Sequence, residues 1–203
     1  MNSIEGALRK ARDADAKASA SAAARRFAER AATEGLTDVA YTTVGSPFGP
    51  LFLATTAKGL VRVAFDSESD DDVLDELARK ISPRVLEAPS MLDLVRRELD
   101  EYFAGDRRRF DMTLDWRLSR GFAERVLRAT AKIPYGSVST YMSMATAAGN
   151  ARAYRAAGNA LGSNPIPIIV PCHRVLATGG GLGGYGGGLP MKKALLELEG
   201  ALG

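Results

Sequence analysis

Residues 139–176 read STYMSMATAAGNARAYRAAGNALGSNPIPIIVPCHRVL, and this stretch decides the organisation of the second half of the chain. It begins with two short helical patterns. Ser139 can cap the first helix, Gly149 can end it in a left-handed conformation, and Asn150 can cap the second helix, over 151–161. Two short helices joined by a Gly-Asn pair predict a helix-turn-helix.

The second helix of this pair carries two arginines among small residues. Arg152, Arg155 and Asn159 fall on one helical face, and alanines such as Ala156 let the helix backbone approach a surface closely. Many helical hairpins bind nothing, and an alanine-rich face also suits a core helix. Core helices rarely carry two arginines in the middle, however, so the pattern favours contact with a nucleic acid.

The prolines and β-branched residues of 164–171 predict an extended, rigid and buried segment that leads to Cys172. A lone cysteine is more often an inert core residue than a nucleophile. Here the only histidine of the chain, His173, is adjacent and Arg174 adds positive charge, which predicts a lowered thiol pKa and a reactive thiolate. Neighbouring side chains of an extended segment point to opposite sides, so we expect a water molecule to link the thiol to the imidazole.

A glycine-rich segment follows, TGGGLGGYGGGLP at 178–190. Its G-x-G-x-x-G-like spacings lack the strand-then-helix context of a phosphate-binding loop. We predict instead a mobile or tightly turned loop that walls a pocket, with Tyr185 as its one aromatic residue. Pro190 is predicted to open the last helix, which Glu199 and Gly200 close.

The first half of the chain has a different pattern, with short β-type runs between turns. Its predicted elements are strands at 39–44, 51–56, 60–66 and 110–115 and helices at 71–81 and 88–105. The first three strands predict an antiparallel meander, and the mixture predicts a small α+β unit. After Trp116 such strands nearly vanish, and an amphipathic helix over 122–133 stops at Pro134.

The net charge of +3 is distributed unevenly along the chain. Residues 1–37 carry a net charge of +2, residues 38–115 carry −6 and residues 116–203 carry +7. We therefore predict an N-terminal extension, a supporting α+β domain and a C-terminal domain, in that order, with the C-terminal domain facing a polyanion. A surface of scattered, solvated charges would give the same totals.

The extension, residues 1–37, is rich in alanine and charged residues and is predicted to be helical or partly disordered. Its possible anchors for one or two loosely docked helices are Ile4, Leu8, Phe27 and Leu36. It has no apolar stretch typical of a secretory signal, and no run in the chain reaches the roughly 20 apolar residues of a membrane span. With one cysteine an internal disulfide is impossible, so we expect a cytoplasmic protein without a membrane contact.

The chain resembles the O6-alkylguanine-DNA alkyltransferase family in the segment PCHRV at 171–175, in Asn164-Pro165 before it, and in the Gly-Tyr loop and Leu-Glu-Gly end after it. The resemblance covers 122–200 and extends more weakly from the SPFGPL turn at 46–51 to residue 115. It implies the α+β fold class, with a ribonuclease H-like first domain and a mostly helical, winged-helix-like second domain.

The resemblance also implies direct-reversal repair of double-stranded DNA without a cofactor. The alkyl group of O6-alkylguanine, and also of O4-alkylthymine, would move from a flipped base onto Cys172 once per molecule. His173 would take the thiol proton through a water, Glu199 would orient the imidazole, Tyr141 would donate a proton to the departing guanine, and Asn164 would brace the turn. A monomer able to cluster on DNA is expected.

Further positions are assigned by the same resemblance. Arg155 would fill the gap left by the flipped base, with Asn150, Arg152 and Ala156 at the DNA surface. The base pocket would be formed by Leu161, Val175, Tyr185, Gly186 and Gly187.

Three features depart from the family pattern. Residues 1–37 lie outside the resemblance. Gly186 stands where some relatives carry a hydroxyl residue, and the zinc site of some relatives cannot be built from one cysteine and one histidine, so no metal is expected. Two other hypotheses stay open. One is a non-catalytic lesion-binding module, a class that lacks the cysteine, and the other is a Cys-His hydrolase, which would need turnover and an oxyanion hole.

Overall fold

The structure, a computed structural model, describes residues 2–202; the side chains of the predicted anchors Ile4 and Leu8 lie outside what it describes. Its α-helices are α1 (Asn2–Thr33), α2 (Asp70–Lys80), α3 (Asp93–Phe103), α4 (Gly121–Thr130), α5 (Tyr141–Ala147), α6 (Tyr154–Gly162) and α7 (Gly188–Leu198). Its strands are β1 (Val39–Val44), β2 (Leu51–Thr56), β3 (Gly59–Phe65), β4 (Val85–Glu87), β5 (Ser139–Thr140) and β6 (Val175–Leu176). Short 3₁₀ helices cover Pro89–Leu92 and Cys172–Arg174. The predicted α+β class is confirmed.

The main sheet has the strand order β3-β2-β1-β4. The first three strands form the predicted antiparallel meander, while β4 joins β1 in parallel and was not predicted. The predicted strand at 110–115 is wrong. This segment meets β3 at a single bridge, where the Leu60 N–H donates to the Thr113 carbonyl (2.9 Å) and the Asp115 N–H donates to the Leu60 carbonyl (2.8 Å).

Both faces of the sheet are covered, which explains why every residue of β2 is buried. On one face α2 packs Val73 and Leu77 against Phe52 and Val61. Three aspartates in the first turn of α2 and two cations in its last turn match the helix dipole. The other face belongs to a larger apolar cluster that includes Leu53, Val63 and Phe65 from the sheet.

This larger cluster joins the two halves of the chain. Leu99 and Tyr102 of α3 share it with Val126 of α4 and Leu195 of α7. A backbone hydrogen bond adds to the contact, since the Val63 N–H on the edge strand β3 donates to the Pro165 carbonyl over 2.8 Å. The sheet therefore holds the turn that precedes Cys172.

Helices α5 and α6 form the predicted pair, but their caps differ from the prediction. The cap of α5 is Thr140 and not the predicted Ser139. The Thr140 Oγ1 accepts from the Ser143 N–H (3.1 Å), because the pairing of β5 with β6 keeps the backbone extended through Thr140. Gly149 ends the helix at φ +90°, as predicted. The Asn150 carboxamide oxygen instead accepts from the Arg152 N–H (3.2 Å) in a turn, so α6 begins only at Tyr154.

The N-terminal extension forms one long helix, α1, which packs against the body through Ala28 and Ala31. The predicted anchors Phe27 and Leu36 are wrong, since they are 67% and 52% exposed. The small alanine side chains allow close packing at this contact, which a count of large apolar residues overlooks. Among the described residues, no helix combines the length and apolarity needed to cross a membrane.

Candidate active site

The segment before Cys172 is a compact turn and not the predicted extended run. The Val170 N–H donates to the Ile166 carbonyl (2.9 Å), and Ile168 adopts φ +73°. A β-branched residue in this left-handed region costs on the order of 1–3 kcal/mol, and the surrounding contacts must hold it there. Cys172 then begins the short 3₁₀ helix that carries His173.

Asn164 holds this turn through all of its polar side-chain atoms. Its Nδ2 donates to the Val170 carbonyl (2.8 Å) and to the Cys172 Sγ (3.2 Å), and its Oδ1 accepts from the Ile166 N–H (3.1 Å). The side chain therefore fixes the turn and also places a donor on the sulfur. These contacts place the Asn164 side chain on the turn that the resemblance assigns it to brace.

His173 is fully buried and pairs with Glu199, which caps the C-terminus of α7. The His173 Nε2 lies 2.9 Å from the Glu199 Oε1. Burial alone would raise the pKa of Glu199, but hydrogen bonds from His173 and Arg174 lower it to about 2. Glu199 is therefore a carboxylate that accepts the Nε2–H, which leaves the lone pair of a neutral imidazole on Nδ1. Among the described residues, Nδ1 has no hydrogen-bond partner.

The prediction of a lowered thiol pKa is wrong. Burial raises the pKa of Cys172 to about 11, and the Asn164 hydrogen bond and the charge of Lys192 offset only part of that effect. Arg174 does not help, because Glu199 accepts from its Nε and Nη2 atoms, both at 2.8 Å. Cys172 is therefore a protonated thiol near neutral pH, and its proton must be removed as it reacts.

A cavity of about 310 Å³ opens onto the thiol. It is lined by Tyr141, Gly158, Leu161, Gly162, Cys172, Gly184, Tyr185 and Gly186. The predicted pocket residues Leu161, Tyr185 and Gly186 are thus brought together. Val175 and Gly187 are not on this wall: Val175 is fully buried, and Gly187 packs against Met191.

Tyr141 closes one side of the cavity from the first turn of α5. Its ring packs on Gly158 and on Gly183, where a Cβ would lie 3.1 Å from the Tyr141 Cζ. Gly183 also has φ +65°, so glycine is required there on two grounds. Burial raises the pKa of Tyr141, which keeps the phenol protonated and able to donate at neutral pH.

Lys192 is a functional candidate that the sequence analysis missed. It is fully buried on α7, and its Nζ donates to the carbonyls of Val175 (2.6 Å), Leu182 and Gly184 (3.4 Å). The ammonium therefore ties the glycine-rich loop to the reactive segment. The spacing along the helix could have identified it, because Lys192 lies three residues before Leu195 and seven before Glu199, which places it on the buried face.

The predicted start of α7 at Pro190 is wrong by two residues, because the helix begins at Gly188.

The predicted nucleic-acid residues lie on the exposed surface of the helix pair. Arg155 and Ala156 are exposed on α6, and Asn150 and Arg152 are exposed in the turn before it. Arg152 is therefore not on the same helical face as Arg155, contrary to the prediction. The Arg155 guanidinium carbon lies 5.6 Å from the centre of the Tyr154 ring. No cluster of three or more potential metal ligands was found within residues 2–202.

Comparison with known proteins gives the same picture for both halves of the chain. Residues 121–201 match the model of the 6-O-methylguanine DNA methyltransferase DNA-binding domain, and residues 39–116 match that of its ribonuclease-like domain. A Mycobacterium tuberculosis methylated-DNA–protein-cysteine methyltransferase is 40% identical over 159 residues, which span 78% of this chain and 91% of the relative. This chain belongs to the O6-methylguanine-DNA methyltransferase family.

Other members of the O6-methylguanine-DNA methyltransferase family agree. The methylated-DNA–protein-cysteine methyltransferase of Methanosarcina barkeri is 38% identical, over 78% of this chain and 96% of its own length. A crystal structure of Mycobacterium tuberculosis OGT in complex with DNA has a TM-score of 0.68 and 39% identity, and the match covers 80% of this chain and 93% of that chain. The predicted fold class and family resemblance are confirmed.

Proposed function

We propose that this chain is a methylated-DNA–protein-cysteine methyltransferase that moves an alkyl group from the O6 atom of guanine in DNA onto its own Cys172. The observation that carries the proposal is the single thiol in the wall of a cavity, held by Asn164 and adjacent to a buried His173 whose free Nδ1 can accept a proton. The names of the family relatives support the same chemistry.

The proposed reaction balances one proton lost by the protein against one gained by the base. The thiol proton passes through a water to the His173 Nδ1 while Sγ attacks the alkyl carbon. The C–O6 bond breaks, its electron pair stays on guanine, and the Tyr141 hydroxyl protonates the departing base. The imidazolium then returns its proton through solvent to the tyrosinate. The thioether has no route back to the thiol, so each molecule acts once.

Access to the O6 atom requires that the base leave the stack, at a cost of a few kcal/mol. The exposed arginine of α6, Arg155, is proposed to occupy the gap, and Asn150, Arg152 and Ala156 to lie along the DNA surface. Charge supports this orientation, since residues 116–203 carry a net charge of +7. Affinity for phosphates predicts binding that weakens steeply with salt. O4-alkylthymine is proposed as a second substrate.

This proposal also includes a three-part division of the chain, with boundaries at residues 37 and 115. It further includes action as a monomer that clusters on DNA, and a cytoplasmic location. Sedimentation of the free protein, and of the protein on long duplexes, tests the monomer and the clustering.

The deciding experiment titrates the protein with an excess of duplex DNA that carries radiolabelled O6-methylguanine. The proposal expects protein-bound label to reach one methyl group per chain and then stop, with none on Cys172→Ala. Repeated turnover with release of labelled product would support the hydrolase hypothesis. Tight binding of the lesion without transfer would support the lesion-binding module.

A further inference from the structure

A tyrosine of the first half of the chain reaches the centre of the proposed reaction. Tyr102, near the end of α3, is fully buried, and its hydroxyl donates to the Glu199 Oε1 over 2.6 Å. Its ring is fixed against Phe110, Tyr135 and Phe103, with centroid distances of 5.2, 6.2 and 5.4 Å. This packing leaves the hydroxyl little freedom to turn away from the carboxylate.

We propose that Tyr102 is a positioning residue for the His173–Glu199 pair, so that the first half of the chain supplies part of the proton relay. This inference rests on the proposed alkyl transfer to Cys172. The α+β half would then take part in the reaction, in addition to supporting the DNA-binding half.

Both carboxylate oxygens of Glu199 are held by buried donors. Its Oε1 accepts from Tyr102 and from the Arg174 Nη2, and it also contacts the His173 Nε2. The Arg174 Nε holds the other oxygen. Each donor orients the carboxylate and takes up part of its negative charge. Removal of the Tyr102 hydroxyl leaves more of that charge to act on His173.

More negative charge on Glu199 stabilises the protonated imidazole, and an imidazole that already carries a proton on Nδ1 cannot take one from the thiol. Burial by itself lowers the pKa of His173, whereas Glu199 raises it. The hydrogen bond from Tyr102 therefore limits how far Glu199 raises the pKa of His173, and it keeps the imidazole neutral. Burial raises the pKa of Tyr102 above its ordinary value, so the phenol remains a donor at every working pH.

Several other groups that face this pair are retained in Tyr102→Phe. Arg174 and Lys192 contribute positive charge that lowers the pKa of His173. The Tyr185 ring packs edge-on against the His173 imidazole, with the ring centroids 6.2 Å apart. Cys172 directly precedes His173 in the chain. Tyr135 contacts the same aromatic cluster, but its hydroxyl donates to the Leu198 carbonyl (2.8 Å). Tyr135→Phe is therefore a matched control that removes a hydroxyl from the same cluster without touching Glu199.

The test compares wild-type protein, Tyr102→Phe and Tyr135→Phe. The rate of transfer from the free base O6-benzylguanine to Cys172 is followed by intact mass as a function of pH. His173 is the only histidine, so nitrogen NMR of a histidine-labelled sample reports its tautomer and pKa without overlap. We expect Tyr102→Phe to raise the pKa of His173. The acid limb of the rate–pH profile should move to higher pH by the same amount. At a fixed pH on the acid limb, the rate should fall between about threefold and tenfold, the equivalent of one hydrogen bond.

Tyr135→Phe should change thermal stability but leave the acid limb of the rate where it is. The inference is overturned if folded Tyr102→Phe keeps the wild-type His173 pKa and rate, or if both variants shift them equally. If Tyr102→Phe does not fold, proton NMR of the wild-type protein decides. A slowly exchanging hydroxyl proton correlated with the Tyr102 ring would support the hydrogen bond to Glu199, and a rapidly exchanging one would reject it. Failure of the wild-type protein to transfer any alkyl group would instead reject the proposed function.

Discussion

The side-chain amide of Asn164 lies 3.2 Å from the sulfur of Cys172 and 2.8 Å from the carbonyl oxygen of Val170. One nitrogen thus serves both the turn and the nucleophile. Because the thiol is buried, the stability of a developing thiolate depends on the few donors that reach it, and this amide is the side-chain donor among them.

Asn164→Asp replaces this donor with a carboxylate, so we expect the thiol pKa to rise by more than one unit and alkyl transfer to slow by at least about tenfold. Asn164→Ala removes the donor without adding charge and should slow transfer by less. The pH dependence of thiol alkylation by iodoacetamide, measured beside the transfer rate, checks both effects. Equal rates for the two variants would show that the charge next to the sulfur is unimportant.

Lys192→Met should loosen the glycine-rich loop, because it leaves the carbonyls of Val175, Leu182 and Gly184 without their buried donor. An unsatisfied buried polar group costs about 1–3 kcal/mol. Hydrogen exchange over 178–188 should therefore accelerate and transfer should slow. Lys193→Met is the matched control, since the Lys193 side chain is 62% exposed. Equal exchange in the two variants would contradict the role given to Lys192.

Stability should decline on acidification in two stages. Burial lowers the pKa of folded His173, so the unfolded chain binds more protons once the pH falls below about 6.5. Glu199 has a folded pKa of about 2 against an ordinary 4.5, so the stability that it contributes is complete above 4.5 and is lost between 4.5 and 2. That second loss is at most about 3 kcal/mol. Urea unfolding at several pH values checks this, and Glu199→Gln should flatten the lower stage.

Arg155→Ala should weaken transfer from duplex DNA while leaving transfer from free O6-benzylguanine unchanged, because the free base needs no wedge. We expect a loss of about tenfold or more on the duplex, in line with the few kcal/mol that base flipping costs. Arg96→Ala, at an exposed arginine of α3 paired with Asp93, serves as the control. A loss of the same size on both substrates would mean that Arg155 supports the fold.

The sequence was most informative where local pattern decides structure. The meander over 39–66 and the helix pair around Gly149 follow from alternation, turn residues and a left-handed glycine, and these expectations are confirmed. The errors arise where a tertiary contact overrides the local preference. Ser139 is a good cap by type, but the pairing of β5 with β6 extends through Thr140, so the helix begins one residue later and Thr140 is the cap.

The active-site turn shows the same limit. Proline and β-branched residues favour extended backbone, but Asn164 and the Val63 hydrogen bond to Pro165 close the segment into a turn and force Ile168 to positive φ. The thiol pKa could not be predicted either, because it depends on burial and on whether Arg174 is already neutralised. Tyr102 gave no local signal, since its partner Glu199 lies 97 residues away in the chain.

The most direct test of the central claim is the mass of the protein and of its Cys172 peptide after incubation with duplex DNA containing O6-methylguanine. We predict a single added methyl group, located on Cys172, together with unmodified guanine in the duplex and no change in Cys172→Ala. An unmodified peptide from folded protein that has bound the lesion, or a methyl group on any other residue, would contradict the account.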